Sequence, residues 1–380
     1  MKRLCLIMLF LAPLSCGDSV HNAQNDHSPK HHESIESAGI DSEKVLNMAG
    51  KIRTNTDPAY VYEFSQSRFV PPAGKTLLMI GQDIDTIEQY YEVFPQGHNP
   101  SGVMAYWAIN GMQGVDRDNA QDIAAQFGRQ NHQLLVDTYP DTVLQSGLWI
   151  VGMWQILEQA RQDKFNHVIR DFSRWLKTID RPLYLRIGYE FDGAHNELDP
   201  EQYKIVYRKI VDIMRAEGVE NVAFVWHSYA APAYNGYPLA AWYPGDAYVD
   251  WVGISLFGHL YGDGIGDEAD TVLEFARQHK KPVMIAESSP IEGIHATDLD
   301  AWNTWFVNLF SLVHEKNIKA LSFINANWQA YPGFMELAWK DARLQNNPAI
   351  AAAWLEHISR PRYLKQSDNL YESLGYNTGE

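Results

Sequence analysis

From residue 71 onward, short apolar runs alternate with longer segments of helical period, the pattern of repeated βα units. Eight runs read as strands: Thr76–Gln82, Gly102–Ile109, Gln133–Thr138, Leu183–Glu190, Val222–His227, Val249–Leu256, Val283–Glu287 and Ala320–Ala326. Runs apolar on both faces belong to parallel sheets covered by helices. The segment after the fourth run carries clear helix signals. Asp199 is an N-cap, Pro200 takes the first helical position, and Gln202 can close a capping box. Tyr203, Val206, Ile210 and Ile213 or Met214 form an apolar stripe, which Gly218 ends. The stretch 137–182 is longer than one helix requires, so an insertion or two helices are expected there. No internal repeat supports a solenoid or a propeller. The pattern predicts a single (β/α)8 TIM barrel over residues 71–360.

The flanks read differently. Residues 1–16 form a short basic start and an apolar run too short to span a bilayer, the make-up of a secretory signal. The run stops at Cys16 after Leu14-Ser15, which resembles a bacterial lipoprotein cleavage site, with Pro13 where that motif prefers Leu. The expectation is an exported protein, lipid-anchored at the cell envelope through Cys16 or secreted. Cys5 lies inside the signal, so the mature chain has no thiol free for a disulfide. Residues 17–70 are polar and aperiodic and are expected to be a flexible tether, His21, His27, His31 and His32 included. The tail 361–380, weakly helical, is expected to pack across the barrel or fray.

Composition narrows the partners. A formal net charge of −16 argues against nucleic acid, whose phosphates call for basic patches, and against an anionic membrane surface. Twelve Trp and twenty Tyr are many; most are expected to fill the core, and such faces also stack on sugars.

The chemistry gathers at the carboxyl ends of the strands, where barrel active sites form. The fourth strand ends at Tyr189-Glu190 and the seventh at Glu287. A carboxylate in that position has no packing role, and two facing each other across a barrel mouth are the minimal equipment for cleaving a glycosidic bond. Other strand ends collect Trp107, Asp137, Trp226, His227, Phe257 and Trp328, a ring of acids and aromatic faces suited to a polyol. Arg186, four residues before Glu190, shares its strand face and can hold a carboxylate ionised. The loop Tyr261–Glu268 has acids and glycines without EF-hand spacing and reads as a rim loop. A metal-dependent barrel would place His and Asp ligands at several strand ends; only His227 stands at one, so no metal and no cofactor are expected.

Leu-Arg-Ile-Gly-Tyr-Glu-Phe-Asp-Gly (185–193), Tyr-Val-Asp-Trp-Val-Gly-Ile-Ser (248–255) and Lys-Pro-Val-Met-Ile-Ala-Glu-Ser-Ser (281–289) resemble glycoside hydrolase family 26. The resemblance covers roughly residues 75–345 and implies a retaining endo-β-glycanase of the clan A barrel type. It implies Glu190 as acid/base, Glu287 as nucleophile, Trp328 as the floor of the central subsite, and Tyr189 in place of a His. β-Mannan is the default substrate of the family, with lichenase and β-1,3-xylanase members as alternatives, and a non-catalytic glycan-binding barrel of an uptake system as a further one. Three departures mark a divergent member. Asp192 replaces the usual Asn, Ala194-His195-Asn196-Glu197 stands where mannanases are Trp-rich, and Phe257 stands where a Tyr usually bonds the nucleophile. His259 or Tyr261 is expected to take over that bond.

Overall fold

The computed structural model describes residues 41–94, 97–108, 129–150, 166–196, 198–231, 236–262 and 265–377. The signal, Cys16, the four N-terminal histidines, Ile109, Asn110 and Glu197 lie outside the described residues. Eight parallel strands close on themselves: β1 (Thr76–Gly81), β2 (Gly102–Ala108), β3 (Val143–Trp149), β4 (Leu183–Ile187), β5 (Val222–Ser228), β6 (Trp251–Leu256), β7 (Val283–Ser288) and β8 (Ala320–Ile324). Each pairs with the next, and β1 pairs with both β2 (Met79 opposite Gly102) and β8 (Leu77 opposite Ala320). This closure is the (β/α)8 barrel. Its described α-helices are α1 (Ser42–Ala49), α2 (Ile84–Val93), α3 (Arg129–Thr138), α4 (Asn166–Leu176), α5 (Pro200–Ala216), α6 (Asp267–Gln278), α7 (Val307–Glu315), α8 (Pro332–Glu336), α9 (Pro348–Ile358) and α10 (Leu370–Ser373).

Local chemistry sets α5 as its sequence suggests. The Asp199 carboxylate takes the N–H groups of Glu201 and Gln202, and Tyr203, Val206, Ile210 and Met214 are buried on one face. Gly218, at φ +71°, turns the chain out of the helix.

The third strand is displaced from the expected place. Gln133–Thr138 belongs to helix α3, with Leu135 buried and Leu134 exposed, and the strand follows at Val143–Trp149. Its sequence, Val-Leu-Gln-Ser-Gly-Leu-Trp, hides behind polar and small residues, because Gln145 points into the barrel, where its Nε2 reaches the Ala286 carbonyl and its Oε1 accepts from Ser322.

Nor are residues 41–70 a free tether. Met48 and Ala49 of α1 are buried, α1 packs on α9, and the Met48 carbonyl accepts from Trp302 Nε1. The segment then runs beneath the barrel, where the Phe69 carbonyl accepts from Tyr184 and the Arg68 carbonyl from Trp251 Nε1. The Phe69 ring enters the amino end of the barrel beside Leu77, Met79, Val143 and Tyr184. The tail closes the same end: β9 (Tyr363–Leu364) adds to β1, and Leu370 and Leu374 are buried under the strands.

Candidate active site

Side chains alternate across each strand, and this decides which strand-end residues meet. Arg186, Tyr106, His227 and Ser255 turn inward and join one polar cluster. Their neighbours turn outward. Trp107 packs against Phe172 and Trp175, and Trp226 stacks on Phe191 with its Nε1 on the Trp242 carbonyl. Both indoles are core between strands and helices and do not face the mouth, contrary to the expectation of ligand contact. Asp137, exposed on α3 and bonded to Gln133, ends no strand and stands apart from the cluster.

Glu190 reaches the mouth through backbone irregularity. β4 ends at Ile187, and Gly188 and Glu190 then take φ of +57° and +54°. A non-glycine residue held in the left-handed region is strained, and such strain concentrates at functional sites. Glu287 is turned inward by a different device. The β6–β7 register slips so that Ile254 faces Ile285 but Ser255 faces Glu287, leaving Ala286 as an extra residue. A bulge of this kind re-aims the side chain that follows it.

The two carboxylates sit in contrasting surroundings. Glu287 is ion-paired with Arg186 and hydrogen-bonded by the Tyr106 hydroxyl. The guanidinium, fully buried, lies 5.1 Å from the Tyr106 ring centre and 5.2 Å from that of Tyr189. Gly147 makes this possible: a Cβ there would stand 2.7 Å from the Tyr106 ring and 3.0 Å from Arg186 Nη2. Burial and the charge of Glu190 push Glu287 up to about 7, against the opposing pull of Arg186 and Tyr106. Glu190 accepts from Ser255 Oγ at 2.6 Å on Oε1 and lies 2.9 Å from His195 Nε2 on Oε2. His195 comes from the stretch Ala194-His195-Asn196-Glu197, whose sequence carries no motif that marks it as part of the site.

The departures from the family pattern find physical answers. Phe257 packs on Trp339 and Trp328 and offers Glu287 nothing. His259 bonds the Ala230 carbonyl and the Phe257 N–H, and the Tyr261 hydroxyl accepts from the Glu292 N–H, so neither replaces the missing hydroxyl. Tyr106, from β2, supplies it. Its only signal in the sequence was its place next to Trp107 on a strand whose facing was ambiguous. Asp192 is matched by two donors, Ser228 Oγ at 2.5 Å and the Tyr229 N–H at 2.7 Å. Burial nevertheless raises it to about 6.

His227 is fully buried below the mouth and touches Arg186 and Ser255, a support for the site without a free face for ligand. Tyr189 keeps partial exposure at the rim and stacks on His227. Trp328 stands at the mouth, its Nε1 on Ser289 Oγ at 2.9 Å and its ring walled by Phe257, Phe334 and Trp339. Among the described residues, no three His, Cys, Asp or Glu side chains converge as a metal shell would.

The sequence profile of glycosyl hydrolase family 26 matches residues 171–330, the span that holds both carboxylates. The beta-1,3-xylanase TXYA of a Vibrio species is 31% identical over 339 residues, spanning 82% of this chain and 71% of that protein. A beta-1,3-xylanase of an Alcaligenes species is 30% identical over 335 residues, 81% and 68% of the two chains. In fold, the chain matches a solved double mutant of the Cellulomonas fimi endo-beta-1,4-mannanase with a TM-score of 0.57 at 14% identity, over 82% of this chain and 80% of that one.

Proposed function

The chain belongs to glycosyl hydrolase family 26 and is a glycoside hydrolase of the β-glycanase kind, and from that premise we propose that it cleaves β-1,3-xylan internally by double displacement. The single observation that carries the mechanism is the unequal setting of the two carboxylates. Glu287, clamped by a guanidinium and a phenol, is dressed as an anion and serves as nucleophile. Glu190, facing a hydroxyl and an imidazole, serves as acid and then base. Glu287 attacks the anomeric carbon while Glu190 protonates the departing oxygen, and water activated by Glu190 then releases the sugar from Glu287.

The substrate rests on the relatives. Two beta-1,3-xylanases are 31% and 30% identical to this chain over 82% and 81% of its length, whereas the mannanase likeness is one of fold at 14% identity. The absence of a Trp-rich stretch after Glu190, with His195 there instead, argues against the default expectation of mannan.

The test is a panel of β-1,3-xylan, β-mannan, mixed-linkage glucan and galactan, read by reducing ends and product length, with Glu287→Gln beside wild type. We expect xylo-oligosaccharides of mixed length early in the reaction, from wild type alone. Cleavage of mannan in place of xylan overturns the substrate; wild-type turnover by Glu287→Gln overturns the nucleophile; binding without product supports a glycan-capturing barrel.

A further inference from the structure

A chain of hydrogen bonds runs through the barrel from one carboxylate to the other, and donor chemistry sets its direction at each link. Arg186 carries only donors, so Nη1 gives one hydrogen to Glu287 Oε1 and another to His227 Nδ1, 3.2 Å away. His227 Nδ1 is therefore a lone pair. Burial and the guanidinium hold that imidazole well below its ordinary range, so the ring is neutral with its hydrogen on Nε2. Nε2 donates to Ser255 Oγ at 2.9 Å, and the Ser255 hydroxyl gives its own hydrogen to Glu190 Oε1 at 2.6 Å. Oε1 is thereby an acceptor. In the acid form of Glu190 the proton belongs on Oε2, the oxygen that His195 Nε2 approaches to 2.9 Å.

Resting on the catalytic reading above, we propose that His195 is the positioning residue of the acid/base: it shares with Glu190 Oε2 the one proton that the surrounding hydrogen bonds leave free to move. The loop is built to hold it there. Gly193 N–H closes on the Glu190 carbonyl at 2.9 Å, and Asn196 Nδ2 ties the Tyr189 and Glu190 carbonyls at 3.0 and 2.6 Å. A Cβ at Gly193 would lie 2.4 Å from His195 Cε1, so glycine alone admits the ring. The groups facing His195 are the anions Glu190, Glu287 and Asp192, the neutral His227, and the edge of Tyr229 at 5.1 Å. Burial works to lower the imidazole, and the bond to Glu190 with the three anionic charges outweighs it and raises the ring above its usual range.

The proton balance is closed. In the first step Oε2 gives its proton to the leaving oxygen, which takes the electron pair of the broken C–O bond as Glu287 bonds the anomeric carbon. In the second, water bonds that carbon and returns a proton to Oε2, while the pair of the Glu287–carbon bond goes back to the carboxylate. At rest the Glu190–His195 pair holds a single proton, and its loss sets the basic limb of the rate profile.

The experiment compares wild type, His195→Ala, His195→Gln and Gly193→Ala on β-1,3-xylan and on a dinitrophenyl xylobioside, whose leaving group needs no protonation. Thermal unfolding is followed for each. General acid assistance contributes about a hundredfold or more, so we expect His195→Ala to lose on the order of tenfold or more in kcat/KM on xylan. On the aryl substrate the first step should stay within about twofold of wild type. The basic limb should move to lower pH in both His195 variants, and Gly193→Ala, which displaces the ring without removing it, should shift it in the same direction. An unmoved limb, or equal losses on the two substrates, overturns the proposal. A wild type that cleaves neither substrate overturns the catalytic reading and this inference with it. A readout free of His195 variants is the NMR titration of His195: its midpoint should fall in Glu190→Gln, and an unchanged midpoint overturns the shared proton.

Discussion

At Glu287 several groups compete over one proton. Burial and Glu190 raise the carboxyl to about 7, and Arg186 and the Tyr106 hydroxyl hold it down. A nucleophile must be ionised, so kcat/KM should fall as pH drops below about 7. Tyr106→Phe removes one of the two groups that favour the anion and should move that acid limb to higher pH. A hydrogen bond to a charged group is worth about 1.5–3 kcal/mol, so the loss in kcat/KM should be roughly 10- to 100-fold. Steady-state profiles on xylan check both; an unchanged limb would sever Tyr106 from the nucleophile. The same carboxyl acts on stability. Folded, it binds its proton more tightly than in the unfolded chain, where 4.5 is the ordinary value, so folding takes up a proton between about pH 4.5 and 7. Stability from this group therefore declines as pH rises through that window, and Glu287→Gln should lack the slope in urea unfolding at stepped pH. Both glutamates and Arg186 were legible in the sequence because each sits in a compact motif at a strand end. Trp107 and Trp226 were misjudged by a single residue, since the neighbour on a strand faces the opposite side.

Individual elements show where local pattern gives way to three-dimensional demand. Helix α3 was mistaken for a strand because Leu134-Leu135-Val136 is a short apolar run, which periodicity alone does not assign. The true β3 lines a polar stretch of barrel interior, so Gln145 and Gly147 follow Val143 at its inward positions and break the apolar run. Gly147 faces Tyr106 and Arg186 so closely that Gly147→Ala should displace the pair that holds Glu287. We expect at least tenfold lower kcat with little change in KM for xylan, since about 1.4 kcal/mol of transition-state stabilisation is a factor of ten. A kcat within twofold of wild type would show that the cluster tolerates the methyl group. The bulge at Ala286 belongs to the same class of feature. Val283–Glu287 reads as a plain apolar strand, and alternation from Met284 and Ala286 would turn Glu287 outward. Only pairing with β6 reveals the slip that brings it in.

At the scale of the whole molecule the barrel has two ends with separate tasks. The carboxyl end carries the carboxylates; the amino end is plugged by Phe69, which meets Tyr184 and Tyr376 edge-on, and by Leu370 and Leu374. Phe69→Ala should cost about 3–5 kcal/mol, the usual penalty for an emptied aromatic site. Because the plug lies at the opposite end from the carboxylates, kcat on xylan should be unchanged at temperatures where the variant is folded. Denaturant unfolding beside steady-state rates separates the two, and a fall in kcat at full folding would couple the ends. The segment 41–70 reads as a tether because its apolar residues follow no sustained period. Several of its apolar residues, Met48, Ile52, Tyr60 and Phe69 among them, are nevertheless buried, while Leu46 and Val61 stay exposed. By itself the sequence determined the barrel, since strand-helix alternation and apolar runs are local properties, and it marked the two glutamates, which stand in compact motifs near strand ends. The tertiary structure alone decided which neighbour of each strand-end pair faces the site, that Tyr106 replaces the hydroxyl missing at Phe257, and that His195 meets Glu190. Those contacts join different strands and loops, and their geometry depends on pairing register and strand facing, which exist only once the barrel has closed.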